Sequence, residues 1–314
     1  MGTKDWKTAL VTGGAGGLGF ELARQCAARG MDVVLVGRNE KRLVEAAAQL
    51  EFEHNIKAHV IVCDLAKVGV AAKVSARVRE MGLVVDVLVN NAGFGYDARF
   101  AESDMARQRE LILTNDLALV ELVGEFAPDM AERKCGGILN VASVAGFMPG
   151  PGMATYYASK AFVQSFSQAI HVELRRAGVH VSTLCPGPVR TAFWENADAA
   201  HTPISRIALD APFVASEGFN ALCRNKALCV PGTLAKTIVF ATRLAPRGFV
   251  ARTAAALQRP RKKKKERGPG ASSPISRRER LARPKRRRGK VCRAHARRLS
   301  ARLRRSWWTL VRDA

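Results

Sequence analysis

Short apolar runs alternate with amphipathic stretches of ten or more residues along the first 185 positions, and no other pattern in the chain limits its fold so sharply. The residues read TALVT, GFELARQCAARG, DVVLV, EKRLVEAAAQLEFEHN and KAHVIVCDL in succession. Continuous apolar runs are strands buried on both faces, and helical text between consecutive strands makes those strands parallel. The alternation continues through VDVLVNNAG, a helical region over 101–133, GGILNVAS, a helix over 154–177 and VHVSTLCPG. Six strands with helices between them predict an α/β protein, a doubly wound parallel sheet in a three-layer α/β/α arrangement. Right-handed crossovers then put a ligand crevice at the C-terminal ends of the strands.

The net charge of +24 suggests a nucleic-acid partner until it is located. From Arg259 onward there are 23 Lys/Arg and 3 Asp/Glu, which leaves 28 and 24 in residues 1–258. The body is therefore near neutral. With 47% hydrophobic residues it has ample material for a core. Residues 1–258 are expected to form one domain, and 259–314 a basic tail of low complexity, without periodicity and disordered. Seven cysteines show no CxxC pair and no metal-type spacing with the six histidines, which fits reduced thiols in a cytoplasmic protein and no metal site. The first strand begins within ten residues, and no apolar stretch reaches the ~18 residues a membrane span needs.

Beyond Pro186 the pattern loosens up to about 210. Asp210 followed by Pro212 reads as an N-cap with proline in the first turn, opening a helix to about 226. The stretch 188–226 is placed to cover the crevice as a lid. Helical text resumes over 234–257, interrupted at Pro246.

Thr12-Gly13-Gly14-Ala15-Gly16-Gly17-Leu18-Gly19 joins the first strand to the first helix. Gly13 permits a tight turn, Gly17 lets the backbone approach a pyrophosphate, and Gly19 lets helix and strand pack closely. Unpaired N–H groups at the helix start would hold the phosphates. The second strand ends in Gly37-Arg38 rather than in an acid. A guanidinium there pairs with a ribose 2′-phosphate, with Arg42 one turn along to assist, so the pattern points to NADP(H). The alternative has Arg38 in solvent and Glu40 accepting the ribose of NAD(H). Asp64 after the third strand would contact the adenine, and Asn90-Asn91-Ala92-Gly93 would floor its pocket.

Tyr156 and Lys160 are four residues apart in a predicted helix and share one face. A free phenol titrates near ~10, and a neighbouring ammonium lowers that value toward the working range. Ser143, at the end of the fifth strand, reaches the same crevice and would hydrogen-bond a substrate oxygen as charge develops. Tyr157 is adjacent, but only Tyr156 has the spacing to Lys160.

Residues 1 to about 258 resemble the short-chain dehydrogenase/reductase family of Rossmann-fold enzymes, by TGGAGGLG, NNAG, Ser143, Tyr156-x-x-x-Lys160 and Pro186-Gly187 in order. NVASVAGFMPGPGMATYYASKAFV is similar to a bacterial branch of broadly defined reductases. The resemblance implies an NAD(P)-dependent oxidoreductase acting on CH–OH donors or carbonyls, in which Tyr156 protonates the carbonyl oxygen while the nicotinamide delivers hydride. It implies that Lys160 also binds the ribose, that Ser143 orients the substrate, that Asn115 holds a water linking Lys160 to solvent, and that Thr191 binds the carboxamide. Leu18, Leu65, Ala92, Gly93, Pro186, Gly187 and Val189 complete the nucleotide contacts it implies. Asp116, beside Asn115, stands where an apolar residue is expected. The family also implies a homo-oligomer, dimer or tetramer, built on the two long central helices.

Phe147, Met148, Pro149, Pro151 and Met153, with Phe193 and Trp194 on the lid, either wall a pocket for a hydrophobic small-molecule carbonyl or alcohol or pack the lid on the body. The tail is read as a solvated polycation, as a tether to nucleic acid or anionic membrane using Trp307 and Trp308, or as sequence from a shifted reading frame. A non-catalytic nucleotide-binding protein is the competing functional class.

Overall fold

The computed structural model describes residues 5–191 and 208–258. Residues 192–207 of the expected lid, with Phe193 and Trp194, and the basic tail with Trp307 and Trp308 lie outside the described residues. Strands β1 (Thr8–Thr12), β2 (Asp32–Gly37), β3 (Ala58–Val62), β4 (Val87–Asn90), β5 (Gly136–Val141) and β6 (Val179–Leu184) fall where apolar runs predict them. Helices α1 (Gly17–Ala27), α2 (Glu40–His54) and α3 (Val70–Glu80) connect the first four. The sheet is wholly parallel in the order β3-β2-β1-β4-β5-β6-β7, a Rossmann arrangement whose strand order reverses between β1 and β4.

The seventh strand, β7 (Leu228–Cys229), corrects the expected six. Two residues are enough to pair Thr183 with Leu228 and Leu184 with Cys229, and too few to carry a periodic signal. The helical region 101–133 is also divided. A 3-10 turn (Phe100–Glu102) leads to α4 (Met105–Ile112), then a π turn (Leu113–Leu117), then α5 (Ala118–Glu132). After β5, a 3-10 turn (Val144–Phe147) precedes α6 (Ala154–Arg175). α7 (Ala211–Cys223), α8 (Thr233–Leu244) and α9 (Arg247–Gln258) complete the described residues, the last two separated at Pro246 as read. Pro212 sits in the first turn of α7, but Asp210 makes no side-chain cap. Its carboxylate accepts from Arg190 Nη1 at 2.8 Å instead, which with the Val189–Leu209 bridge pins together the two ends of the stretch 192–207.

Side chains alternate across the sheet into two cores. Ala9 and Val11 face α1, α2 and α7, where Leu22, Leu43 and Phe219 are fully buried. Leu10 faces the layer of α3, α5 and α6 with Val74, Leu122 and Val163. Burial on both faces accounts for the unbroken apolar runs. Among the described residues no helix is long and apolar enough to cross a membrane.

At the N-terminal edge of the sheet one carboxylate joins three elements. Asp86 Oδ2 accepts from the backbone N–H groups of Lys7 at 2.8 Å and Thr8 at 3.2 Å, and Oδ1 accepts from Arg133 Nη1 at 2.9 Å. Removing it strands two amides and a guanidinium in a site that is largely buried. Asp86→Ala is expected to lower the free energy of unfolding by about 2 kcal/mol, read from urea denaturation.

Candidate active site

A sheet buried on both faces can offer chemistry only at its ends, and the residues singled out in the sequence gather along the C-terminal one. The first βα turn leaves β1 at Thr12. Gly13 has a φ of 67°, and a Cβ there would stand 2.9 Å from Asn91 Nδ2. A Cβ on Gly19 would overlap the carbonyl oxygen of Gly13, so only glycine lets α1 approach the turn. Gly16 faces open space, and Gly17 opens α1 with Thr191 beside it, a Cβ on Gly17 standing 3.2 Å from the threonine side chain. The start of α1 is thus bare of side chains, with no side-chain cap on its first N–H groups. These features fit a dinucleotide pyrophosphate.

Thr12 and Asn91, expected against the nucleotide, are committed to protein. Thr12 Oγ1 accepts from the N–H groups of Asn91 and Ala92, both at 3.0 Å, and Asn91 Nδ2 donates to the carbonyl oxygen of Thr12 at 3.0 Å. The exchange latches the turn after β1 to the turn after β4. Asn90 points into the interior, where its Nδ2 donates to Asn140 Oδ1 at 2.9 Å. Asn140 Nδ2 in turn donates to Ser167 Oγ on α6 at 2.9 Å. This buried chain, which fixes α6 against the sheet, has no sequence signature beyond polar residues inside apolar strands. Asp64 Oδ1 accepts from Ala66 N at 3.1 Å in a local turn, and Leu65 is buried. Pro186, Gly187 and Val189 follow β6, where the carbonyl oxygen of Pro186 accepts from Val144 N at 3.0 Å.

Arg38 and Arg42 are both exposed at the end of β2. Arg38 does not stand alone: its Nη1 donates to Glu110 Oε1 at 3.1 Å, while Arg107 Nη1 holds the other oxygen at 2.9 Å. The guanidinium is 64% exposed, so this pair is weak and open to exchange with a stronger anion.

Tyr156, Lys160 and Ser143 come together as their spacing predicts. The Tyr156 side chain hydrogen-bonds Ser143, and Lys160 Nζ lies 5.9 Å from the centre of the Tyr156 ring. Tyr157 instead packs over Gly150, where a Cβ would overlap its ring, and meets Tyr156 edge-on at 6.0 Å. The register of α6 therefore turns Tyr156, rather than Tyr157, toward Ser143 and Lys160.

The electrostatics correct one expectation. The phenol is not lowered on balance: burial pushes Tyr156 well above its ordinary value, and the Ser143 hydrogen bond works against that rise. Burial also lowers Lys160, to about 8, with Asp116 and Cys185 opposing. Lys160 Nζ donates to the carbonyl oxygen of Val141 at 2.9 Å. A Cβ on Gly93 would lie 3.4 Å from that Nζ and 3.0 Å from Asn115 Oδ1, so the glycine leaves the crevice floor open beside the ammonium.

Asn115 lies on the π turn, not in a regular helix. Its Oδ1 accepts from Phe94 N at 3.0 Å, and its Nδ2 donates to the carbonyl oxygen of Phe94 at 3.1 Å and to Ser159 Oγ at 3.2 Å. The amide thereby ties the loop after β4 to α6. One wider turn rotates the chain enough to present both Asn115 and Asp116 inward, a local irregularity common at functional sites.

The apolar wall is only partly as read. Met153 is buried with Leu111 and Tyr156, and Phe94, Tyr96 and Tyr157 pack against them. Phe147 turns the other way, onto the core beneath the sheet. Phe94 and Tyr96 were missed because the loop after β4 carries no periodic pattern. Arg107 stacks over Phe94 at 4.9 Å from the ring centre.

Residues 7–202 match the model of the family described as short chain dehydrogenase. The chain is 34% identical over 187 residues to a very-long-chain 3-oxoacyl-CoA reductase of Bos taurus, an alignment covering 58% of this chain and 59% of that protein. It thus spans less than two thirds of the length of that relative. A short-chain dehydrogenase from Sphingobium yanoikuyae solved in complex with NADPH superposes with a TM-score of 0.69 at 31% identity, covering 77% of this chain and 94% of that one. The bulky-bulky ketone specific alcohol dehydrogenase from Comamonas testosteroni superposes with a TM-score of 0.66 at 29% identity, over 76% and 91%.

Substituting Gly19 by Ala forces the new methyl into the backbone of the glycine turn. The variant is expected to lose about 1–3 kcal/mol of stability and most of its affinity for NADPH, measured by thermal unfolding and by nucleotide fluorescence titration.

Proposed function

This chain belongs to the short-chain dehydrogenase family, and from that premise we propose that it is an NADPH-dependent reductase of bulky hydrophobic ketones, with Tyr156 as the proton donor. The observation that carries the reading is the position of the Tyr156 phenol, buried, hydrogen-bonded to Ser143 and one helical turn from the Lys160 ammonium. A phenol held above its ordinary value stays protonated through neutrality. It therefore enters the reaction as an acid, which favours reduction over oxidation. Bound at the glycine turn, NADPH would supply hydride to the carbonyl carbon. Gly13, Gly17, Gly19 and Gly93 would leave room for it, Lys160 would bind its ribose, and Thr191 its carboxamide. Arg38 would exchange Glu110 for the 2′-phosphate, assisted by Arg42.

As the carbonyl oxygen gains charge, Tyr156 passes it the phenolic proton while the Ser143 hydroxyl steadies it. Lys160 stabilises the resulting phenolate by its charge, and a water held near Asn115 returns the proton from solvent. The hydrophobic preference draws on the cluster of Met153, Leu111, Phe94, Tyr96 and Tyr157 around the phenol. The names of the relatives, a 3-oxoacyl-CoA reductase and a bulky-ketone alcohol dehydrogenase, fit carbonyl substrates of this kind. The reading includes a homo-oligomer formed on α5 and α6, which border an apolar groove of about 360 Å³ lined by Val123, Ala127, Phe166 and Ile170.

Two measurements test this. With NADPH and a panel of bulky aryl ketones and 3-oxoacyl thioesters, Tyr156→Phe is expected to lower kcat by about 10²–10⁴-fold and leave the Kd for NADPH nearly unchanged. A panel without turnover in the unaltered protein would favour a nucleotide-binding protein instead. Arg38→Leu is expected to weaken NADPH about 10–100-fold and NADH little, since the lost contact is a charged hydrogen bond to a phosphate. Equal effects on both nucleotides would assign the 2′ site to other residues.

A further inference from the structure

Asp116 is a half-buried carboxylate that the chemistry above leaves without a task. It stands on the π turn next to Asn115, whose Nδ2 reaches Ser159 Oγ on α6 at 3.2 Å. The π turn thus lies against α6 at residue 159, next to Lys160, and Asp116 acts on the Lys160 ammonium through space, with no contact ion pair between them among the described residues. Asp116 Oδ1 is shut off from solvent and has no hydrogen-bond partner among the described residues. Opposite it, Lys160 is 5% exposed, and the hydrogen bond its ammonium makes within the described residues is to the Val141 carbonyl.

We propose that Asp116 is a positioning residue of this site, the counterion that keeps the buried Lys160 ammonium charged beside Tyr156. The idea rests on the reading of Tyr156 and Lys160 as the reacting pair. Among the described residues, the charged and titratable groups that face the pair leave Asp116 to carry the negative charge. From α6, Lys160 faces Asp116, and the phenol of Tyr156 is held neutral by burial. From the end of β6, Cys185 faces Lys160, but burial pushes its thiol up to about 12 and it too stays neutral. Burial moves Asp116 up to about 6, with Lys160 pulling the other way. The pair is therefore doubly charged between about 6 and about 8. Below that window Asp116 takes up a proton, and above it Lys160 gives one up.

The test reads Lys160 directly, in the full chain, with lysines labelled by ¹³C at Cε and the resonance identified by its loss in Lys160→Arg. Lys160 should titrate near pH 8 with a smaller step near pH 6, where Asp116 titrates. In Asp116→Asn the small step should vanish and the main midpoint should fall by about one unit or more, a tenfold loss in proton affinity, with Asp116→Glu restoring most of it. An unmoved midpoint in a folded Asp116→Asn protein overturns the proposal. If that variant does not fold, the unaltered protein decides: no step near pH 6 overturns it equally. Because the readout needs no substrate, a silent Tyr156→Phe would sink the enzymatic reading without touching this result.

Discussion

Two neighbouring strands that leave the sheet in opposite crossover directions must open a gap between their turns, and this molecule closes the floor of that gap with one reciprocal exchange. Thr12 accepts from the amides of Asn91 and Ala92, and Asn91 returns a hydrogen bond to the carbonyl of Thr12. Everything functional is hung from this latch. The glycine turn on one side carries α1, and the loop on the other carries Gly93, Phe94 and, through Asn115, the π turn and α6. Asn90, Asn140 and Ser167 extend the same fixation through the sheet, so that the helix bearing Tyr156 is set against strands rather than against a loop.

Burial then does most of the electrostatic work. It raises the Tyr156 phenol, lowers the Lys160 ammonium and raises the Asp116 carboxylate, in each case by disfavouring the charged form. Hydrogen bonds and charges answer it locally: Ser143 for Tyr156, Asp116 for Lys160. Burial thus keeps the Tyr156 phenol protonated, while Asp116 opposes the lowering of the Lys160 ammonium.

How far the chain could be read in advance depended on whether a feature was local. Each strand from β1 to β6 is a buried apolar run, and burial on both faces writes itself into consecutive residues. The turn glycines are equally visible, because backbone conformation and close approach act on one residue at a time. β7 was invisible, since two residues paired to β6 have no period. The π turn was invisible too: helical periodicity continues on both sides of it, and nothing in TNDLA marks one wider turn. Phe147, readable as pocket wall or as packing, lies against the core of α3, α5 and α6, because a short apolar run does not say which way each side chain turns.

By itself the sequence determined the parallel order of helices and strands, the glycine turn, and the four-residue spacing that puts Tyr156 and Lys160 on one face. Those are consequences of periodicity and of stereochemistry within a few residues. Tertiary structure alone decided that Tyr157 is turned to Gly150, that Asn91 serves the fold, that Arg38 rests on Glu110 and that Asp116 is brought near Lys160 with one oxygen buried. Each of these joins residues separated along the chain, and the strength of a charge or a hydrogen bond is set by the distance and dielectric that only packing creates.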